Sequence, residues 1–372
     1  MRGTRYPPGI DMTLLLLLVT LVLGGTLGDA GATTIYVANN GIDPPGCAPP
    51  TCIVGSCVCG AKAAPCRSIT CGIMTAAAVD TVLVGPGVYG DLDHDGTPGD
   101  SAGEESPGLN SPGCGCLLAL NKAVKLLSTN GAAETLIDGT TVASNTTVLI
   151  ISNGGAFGAP GKGFFITQSN GNKNAMVIDA DDVAIRGNQL VPILPTSVGI
   201  GMQTVDSPGS VVIEGNQVVG WATAIYVQGP NKILRNNVVA FNGSGIVPAE
   251  TALVTGNVAV GNRLGIVLET GAQTITGNAA VGNVYGFGNH GIGPPGGGAA
   301  FTGTFEKNDT FGNICGLTND GVIGLVADKN YWGASSGPGA DPADPVCESS
   351  GGTTTTVPFA KSLIKVRPAL KP

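Results

Sequence analysis

Short apolar segments recur along the second half of the chain, and each is followed by an asparagine at a fixed offset. Consecutive asparagines are 21, 20 and 21 residues apart in the middle of the series, with longer steps of 28 and 30 on either side. The series is Asn188, Asn216, Asn237, Asn257, Asn278, Asn308 and Asn330. Three positions before its first six members stand Ile185, Ile213, Leu234, Val254, Ile275 and Phe305.

Two further sets of positions keep the same frame. Nine residues after five of the asparagines come Ile225, Ile246, Ile266, Phe287 and Leu317. Five residues after four of them come Asn242, Asn262, Asn283 and Asn313. Shared offsets of this kind separate a structural repeat from a chance scatter of asparagines.

A unit of about 21 residues cannot bury its own apolar side chains, so neighbouring units must stack into a continuous core. The apolar segments are short, β-branched and alternating, which is typical of strands. The sequence therefore predicts an all-β chain, a right-handed parallel β-helix solenoid with about 21 residues per coil. Stacked asparagine amides would hydrogen-bond along its axis, because each carries both a donor and an acceptor.

The two ends of the chain predict caps. Residues 68–78 place Ile69, Ile73 and Ala77 on one helical face, with Ser68 as an N-cap, which indicates a short N-terminal capping helix. We expect residues 33–125 to form this cap and the opening coils with cysteine-rich loops, residues 126–345 the regular coils, and residues 346–372 a C-terminal cap and tail.

The N-terminus resembles an export signal. Arg2 and Arg5 precede an apolar run at residues 14–23, and small residues at 30–32 offer a cleavage site, so residues 1–32 are predicted to be a signal peptide. Met1 and Met12 both remain open as the start. No second apolar run of membrane length follows, so we expect no transmembrane anchor in the mature chain and a secreted, periplasmic or cell-surface location.

All ten cysteines lie beyond the predicted signal. An even number of cysteines in an exported chain indicates disulfides, and the isolation of Cys315 and Cys347 predicts that they pair. The pairing of the eight cysteines between Cys47 and Cys116 stays open. A metal cluster is the alternative, although Cys57-x-Cys59 and Cys114-x-Cys116 fit zinc spacing poorly.

Several segments resemble the pectin-lyase-like superfamily and, within it, the NosD-type repeat proteins. They are residues 34–37 (TIYV), 80–89 (DTVLVGPGVY), 136–139 (LIDG), the Gly-Asn repeats, and 330–333 (NYWG) with 337–338 (GP). The resemblance implies the β-helix fold. It implies no single activity, because the superfamily includes polysaccharide lyases, glycoside hydrolases, surface adhesins and proteins linked to copper-enzyme maturation.

An acidic segment after Tyr89 predicts a calcium loop. Asp91, Asp93 and Asp95 alternate before Gly96, as in the opening of an EF-hand loop. Asp100, Glu104 and Glu105 are candidates to complete the oxygen shell, although the twelfth position is Ala102 and not glutamate. The alternative is a solvated acidic loop without an ion.

A charged column is predicted two positions before successive asparagines. Arg186, Glu214 and Arg235 would stack on one outward face as a surface ion-pair ladder. If the chain is an enzyme, these residues are the candidate catalytic set, with the arginines binding a sugar acid and Glu214 acting as base. Weaker candidates are Asp179, Asp181 and Asp182 as an acid–base group, and His290 in a Gly/Pro-rich insertion.

Composition narrows the function classes. Only 12% of residues are charged and the net charge is −8, which disfavours nucleic-acid binding. The first hypothesis is a non-catalytic exported β-helix that binds a polysaccharide or cell-surface glycan, or builds surface structure. A polysaccharide lyase or glycoside hydrolase is the alternative, although no Arg-x-Pro-x-x-Arg segment typical of pectate lyases occurs. A NosD-like role in copper-enzyme maturation ranks third, because five Met and two His offer few soft ligands.

Overall fold

The structure is a computed structural model, and it describes residues 32–42, 59–106, 108, 111–140, 146–168, 173–193, 199–248, 251–289 and 301–364. The predicted signal peptide, apart from its last residue, and His290 lie outside these residues. The described part contains one helix, α1 (Ile69–Thr75), and strands β1–β31, numbered in chain order. Three long parallel sheets hold nearly all of the strands.

Sheet I has ten strands, which follow one another along the axis of the molecule. In spatial order they are β1 (Thr34–Val37), β2 (Thr81–Val84), β5 (Lys125–Ser128), β8 (Ala156–Phe157), β11 (Val183–Arg186), β14 (Val211–Glu214), β17 (Lys232–Arg235), β20 (Leu253–Thr255), β23 (Thr274–Thr276) and β26 (Thr304–Glu306). Each strand pairs in parallel with the strand of the next coil, so chain order and spatial order agree.

Sheet II has nine strands in the same order along the axis. They are β3 (Gly87–Gly90), β6 (Thr135–Gly139), β9 (Phe165–Gln168), β12 (Gln189–Leu190), β15 (Gln217–Val219), β18 (Val238–Ala240), β21 (Val258–Val260), β24 (Ala279–Val281) and β27 (Asp309–Phe311). The last five of these strands have three residues each.

Sheet III has ten strands, and a two-stranded sheet stands beside it near the C-terminus. Sheet III contains β4 (Cys116–Leu120), β7 (Thr146–Ile150), β10 (Asn174–Ile178), β13 (Ile200–Thr204), β16 (Thr223–Tyr226), β19 (Ser244–Val247), β22 (Leu264–Val267), β25 (Tyr285–Gly288), β28 (Cys315–Asp320) and β30 (Val346–Ser349). The small sheet pairs β29 (Leu325–Val326) with β31 (Thr354–Thr355).

The chain visits sheets I, II and III in turn and then begins the next coil, which makes the fold a right-handed parallel β-helix. Ile213, Leu234, Val254 and Ile275 are register partners on successive strands of sheet I. All four are 0–1% exposed, so the predicted apolar column is confirmed as one continuous line through the core.

The first asparagine series lines the corner between sheets I and II as a buried ladder. The backbone N–H and Nδ2 of Asn237 both donate to Oδ1 of Asn257, at 2.9 Å. Nδ2 of Asn237 also donates to the carbonyl of Ile213 on the preceding coil, at 2.8 Å. Each amide therefore ties three coils together, and the pattern repeats from Asn188 to Asn330.

The second asparagine series forms a shorter ladder at the corner between sheets II and III. It starts where the N–H of Trp221 donates to Asn242 and ends where Asn313 donates to the buried carboxylate of Asp344. In two preceding coils the same corner is longer, with residues 169–173 and 191–199 between the strands. The insertions and this ladder therefore occupy different coils.

Glycine precedes the inward residue of several sheet III strands because there is no room for a side chain. A Cβ on Gly245 would lie 2.3 Å from the carbonyl oxygen of Gly265, and one on Gly265 would lie 2.3 Å from that of Gly286. The glycines therefore let neighbouring coils approach closely at this position.

The capping helix α1 closes the N-terminal end and is shorter than predicted. Ser68 is its N-cap, accepting from the N–H of Cys71, but the helix ends at Thr75 because Ala76 is already extended. The amine of Lys122 donates to the carbonyls of Met74 and Ala76 at 2.7 and 2.8 Å, which satisfies the last turn. Burial lowers the pKa of this amine.

Disulfides join Cys59 to Cys66, Cys114 to Cys116 and Cys315 to Cys347. The last bond links neighbouring strands of sheet III near the C-terminal end, where Thr318 is the register partner of Cys347. Cys47, Cys52 and Cys57 lie outside the described residues. No described helix has the length and apolar character needed to cross a membrane.

Candidate functional site

The outer face of sheet I brings the three residues of the charged column together. Arg186 is the register partner of Glu214, and Glu214 is the partner of Arg235. The inward neighbours Ile185, Ile213 and Leu234 are buried, so alternation along the strands turns the charged residues outward. The position of these residues, two before successive asparagines of the series, thus determines that they stack on successive coils and point outward.

One carboxylate serves both guanidinium groups. Oε2 of Glu214 accepts from Nε of Arg186 at 3.0 Å and from Nη2 of Arg235 at 2.9 Å. The side chains of Arg186 and Arg235 are 33% and 43% exposed, whereas that of Glu214 is 23% exposed. The column therefore carries one excess positive charge and turns guanidinium N–H groups to solvent.

The two arginines decide the acidity of Glu214. Its partial burial acts to raise the pKa, but hydrogen bonds and charge attraction from Arg235 and Arg186 outweigh this and lower the pKa below its ordinary value. A carboxylate with a lowered pKa is a weak base near neutral pH. The geometry therefore suits an ion-pair ladder better than proton abstraction.

A row of apolar side chains runs beside the charged column. Ala184, Val212 and Ile233 are register partners and half-buried, and Leu253 continues the row with 36% exposure. Sequence reasoning missed this row, although each member stands four positions before an asparagine of the series. Sheet I thus presents apolar and cationic side chains in parallel lines.

A second ionic group lies further along the same face. After Thr255 and Thr276, the column position is taken by Glu306, whose carboxylate contacts Lys329 at 2.6 Å and Lys307 at 2.9 Å. Hydrogen bonds from Lys329 and Lys307 lower the pKa of Glu306. Both carboxylates in the described strands of sheet I therefore already pair with neighbouring cations.

The acidic loop gathers most of its predicted carboxylates. Ligand oxygens of Asp91, Asp93 and Asp95 lie within 4.8 Å of one another, and so do those of Asp93, Asp100 and Glu104. Buried Glu104 accepts from four backbone N–H groups: Leu92, Asp93, Gly99 and Ser101. The loop is thus held in shape by its own acids, and the calcium site stays a prediction.

The surroundings shift the pKa values of two acids of this loop in opposite directions. A hydrogen bond from Ser101 lowers the pKa of Asp93, whereas desolvation and the nearby charges of Asp95 and Asp93 raise that of Asp100. A cation among these oxygens would relieve the crowding of negative charge.

Glu105 is not part of the acidic loop's oxygen shell. Its carboxylate accepts from the N–H groups of Ile69 and Thr70 at 2.7 Å and from the hydroxyl of Thr70 at 2.6 Å. Its charge therefore stabilises the start of helix α1, where unpaired N–H groups favour an anion.

The weaker acid–base candidates lie at a turn. The carboxylate of Asp181 accepts from the N–H of Gly209 at 2.8 Å, and Asp182 has a φ of 56°. Asn153 accepts from the N–H of Asp181. These contacts join neighbouring coils, which favours the structural interpretation of this segment.

The parallel sheets and stacked corners define the class: this is a right-handed parallel β-helix protein. The family model described as "Periplasmic copper-binding protein (NosD)" matches residues 136–337. That is more than half of the chain, so the chain belongs to the NosD family. The family's periplasmic description agrees with the predicted export.

Two solved structures match the chain at low sequence identity. A crystal structure of pectate lyase Pel9A is 13% identical, with 90% of this chain and 80% of that chain covered and a TM-score of 0.46. A structure of rice weevil pectin methyl esterase is 8% identical, with 79% and 87% covered and a TM-score of 0.36. No curated protein matches the chain.

Proposed function

We propose that this chain is an exported β-helix protein that binds glycan along the outer face of sheet I without cleaving it. One observation carries the proposal: the column of Arg186, Glu214 and Arg235 has an excess positive charge beside an apolar row. Sugar rings have apolar C–H faces and polar edges. A ring stacked on Val212 and Ile233 would turn its edge toward the arginines.

The arginines suit acidic sugars. Each uses one nitrogen on Glu214, and guanidinium groups have further N–H donors in a planar fork that matches a carboxylate. Successive coils are about 4.8 Å apart, so Arg186 and Arg235 stand about 10 Å from each other along the axis. An extended polymer lying parallel to the axis would meet both.

Catalysis has less support than binding. Lyase or hydrolase chemistry needs a base or an acid–base pair with suitable pKa values. In the described residues of this column the only carboxylate is Glu214, and its pKa is lowered. The face contains no second carboxylate near the two arginines among the described strands.

Copper, which the family description names, fits the described donors poorly. Copper sites favour thioether, thiolate and imidazole ligands. Met176 and Met202 are 0% exposed in the core, and the described cysteines are held in disulfides. His94 lies among carboxylates, which prefer harder cations. We therefore assign no step to copper.

The test is binding of purified, disulfide-intact protein to polyuronate, sulfated and neutral polysaccharides, measured by calorimetry at low and moderate salt. We expect acidic polymers to bind and salt to weaken them. The double variant Arg186→Gln/Arg235→Gln should lose most of this affinity.

The matched control is Arg263→Gln, which removes a positive charge from an exposed position outside sheet I. We expect it to bind like the parent chain. Equal binding by the double variant and the parent would overturn the proposal. Release of unsaturated or reducing sugar ends, abolished by Glu214→Gln, would establish the enzyme alternative instead.

A further inference from the structure

Two of the described disulfides differ sharply in the length of chain that they span. Cys315 and Cys347 are 32 positions apart and join neighbouring strands of sheet III, whereas Cys114 and Cys116 are two positions apart. A disulfide stabilises a fold mainly by restricting the unfolded chain, and this restriction grows with the length of the closed loop. Cys114 and Cys116 are also close together in the unfolded chain, so their bond contributes little to stability. Cross-linking of the fold therefore does not account for it.

The chain before this bond is held in a turn of its own. The N–H of Cys114 donates to the carbonyl of Ser111 at 3.1 Å, which closes a turn over residues 111–114. Pro112 occupies the second position, and Gly113, with a φ of 79°, occupies the third. This arrangement is typical of a type II turn. The turn therefore fixes the backbone of Cys114 independently of its sulfur.

The chain after the bond is held by sheet III. The N–H of Thr146 donates to the carbonyl of Gly115 at 3.0 Å, and Cys116, the first residue of β4, is the register partner of Thr146. The sheet and the turn thus position both cysteines. Opening of the disulfide breaks neither of these backbone contacts.

The two cysteines differ in exposure. Cys114 is half-buried and lies between exposed Gly113 and Gly115, whereas Cys116 is 3% exposed. A Cβ on Gly113 would meet no described atom within 4 Å beyond its chain neighbours, so open space adjoins the turn. A thiolate that approaches from solvent therefore reaches Sγ of Cys114, and Sγ of Cys116 is the leaving group.

The ring that this bond closes is too short to behave as a flexible loop. It contains a single complete residue, Gly115, between the two cysteines. Short, stiff loops deviate strongly from the closure behaviour of flexible chains. Strained or exposed disulfides are more easily reduced than structural ones and exchange with external thiols. The small ring and the exposure of Cys114 thus favour the same chemistry.

We propose that the Cys114–Cys116 disulfide is a thiol–disulfide exchange site that accepts two electrons from a pair of thiols on a partner polypeptide. A partner thiolate attacks Sγ of Cys114, the S–S bond breaks, and Sγ of Cys116 leaves as a thiolate and takes up a proton. The partner's second thiol loses its proton and attacks the partner sulfur of this mixed disulfide, which releases Cys114 as a thiol. The partner gains one disulfide, and Cys114 and Cys116 are reduced.

The first measurement compares two bonds of the same molecule. Each pair has one half-buried residue, Cys114 or Cys347, and one buried residue, so access to the two bonds is similar. Native, disulfide-intact protein is equilibrated with mixtures of reduced and oxidised glutathione, and free thiols are alkylated and mapped by mass spectrometry. We expect half reduction of Cys114–Cys116 at a ratio of squared reduced to oxidised glutathione at least about tenfold lower than for the other bond. Equal midpoints would overturn the proposal.

The second measurement uses a synthetic peptide with two reduced cysteines, in the absence of oxygen. The parent protein should form about one peptide disulfide per chain, because each transfer consumes one bond. The double variant Cys114→Ser/Cys116→Ser should leave the peptide reduced. Equal oxidation by parent and double variant would place the exchange at another bond and overturn the proposal.

Single variants test the direction of attack. Cys116→Ser keeps the accessible thiol of Cys114, and Cys114→Ser keeps the buried thiol of Cys116. We expect the first variant to form a mixed disulfide with oxidised glutathione at least about tenfold faster than the second. The reverse order of rates would overturn the assignment of Cys114 as the attacked sulfur.

Thermal unfolding separates exchange from cross-linking. The variant Cys114→Ser/Cys116→Ser should melt close to the parent temperature, whereas Cys315→Ser/Cys347→Ser, the matched control, should melt at a clearly lower temperature. An equal drop in both variants would show that Cys114–Cys116 is a structural cross-link, which would overturn the proposal.

Discussion

Between residues 211 and 288 successive coils repeat the same side-chain contacts, whereas between residues 59 and 140 several side-chain contacts have no counterpart in a neighbouring coil. The repeated region is held by a buried apolar column in each of the three sheets and by two asparagine ladders. The opening region depends on individual pairs, such as Glu105 with the start of helix α1 and Lys122 with its end. A repeated region shares its stability among neighbouring coils, and the opening region has no such redundancy.

The largest loss of stability is expected when a buried side chain of the sheet I apolar column is truncated. Leu234→Ala should destabilise the fold by about 2–5 kcal/mol, because the side chain is fully buried and leaves a cavity between two coils. Chemical denaturation followed by circular dichroism measures this. Leu363→Ala, at an exposed position, is the control and should change stability little. A similar loss in both variants would contradict the packed column.

A smaller loss of stability is expected when a contact that occurs once, in the opening region, is removed. Glu105→Gln removes the charge and one acceptor from three buried hydrogen bonds, so we expect a loss of about 1–3 kcal/mol. Hydrogen exchange should show the loss concentrated in helix α1 and not in the repeated coils. Glu348→Gln, at an exposed position, serves as control. Uniformly faster exchange along the whole solenoid would contradict the local role.

Calcium binding by the acidic loop would stabilise the opening region without changing the fold. If the acidic loop binds the ion, adding calcium should raise the melting temperature by a few degrees and chelator should reverse it. Asp93→Asn should abolish the shift, and Asp179→Asn, an exposed acid outside the loop, should preserve it. The same shift in the Asp93 variant would remove calcium from this loop.

The smallest effect is expected at the surface of the repeated region. Glu214→Gln should cost about 1 kcal/mol or less near neutral pH, because surface ion pairs contribute little. The pKa of Glu214 is lower folded than unfolded, so its contribution is present above the ordinary carboxyl pKa and disappears as pH falls through the lowered value. The parent and variant should therefore converge in acid. A difference that grows in acid would contradict the assignment.

The repeated region could be predicted from sequence because each contact there has several copies. Asn237, Asn257 and Asn278 fixed the frame, and the outward position of Glu214 followed from strand alternation. The opening region gave no such signal. Glu105 was placed with the acidic loop because sequence proximity suggested it, whereas the fold carries it to the helix N-terminus. The apolar row beside the charged column was missed because a few half-buried aliphatic side chains leave no mark in composition.

The first asparagine ladder gives the solenoid a direction. From Asn188 to Asn308, Nδ2 of each asparagine donates to Oδ1 of its C-terminal neighbour in the series, so the amide-to-amide hydrogen bonds all run in one direction along the axis. The series ends where Asn330 donates to main-chain carbonyls, which supplies a terminator. Insertion of a whole coil with one more ladder asparagine would therefore preserve the hydrogen bonds on both sides of it, whereas a partial coil would sever the ladder at its insertion point.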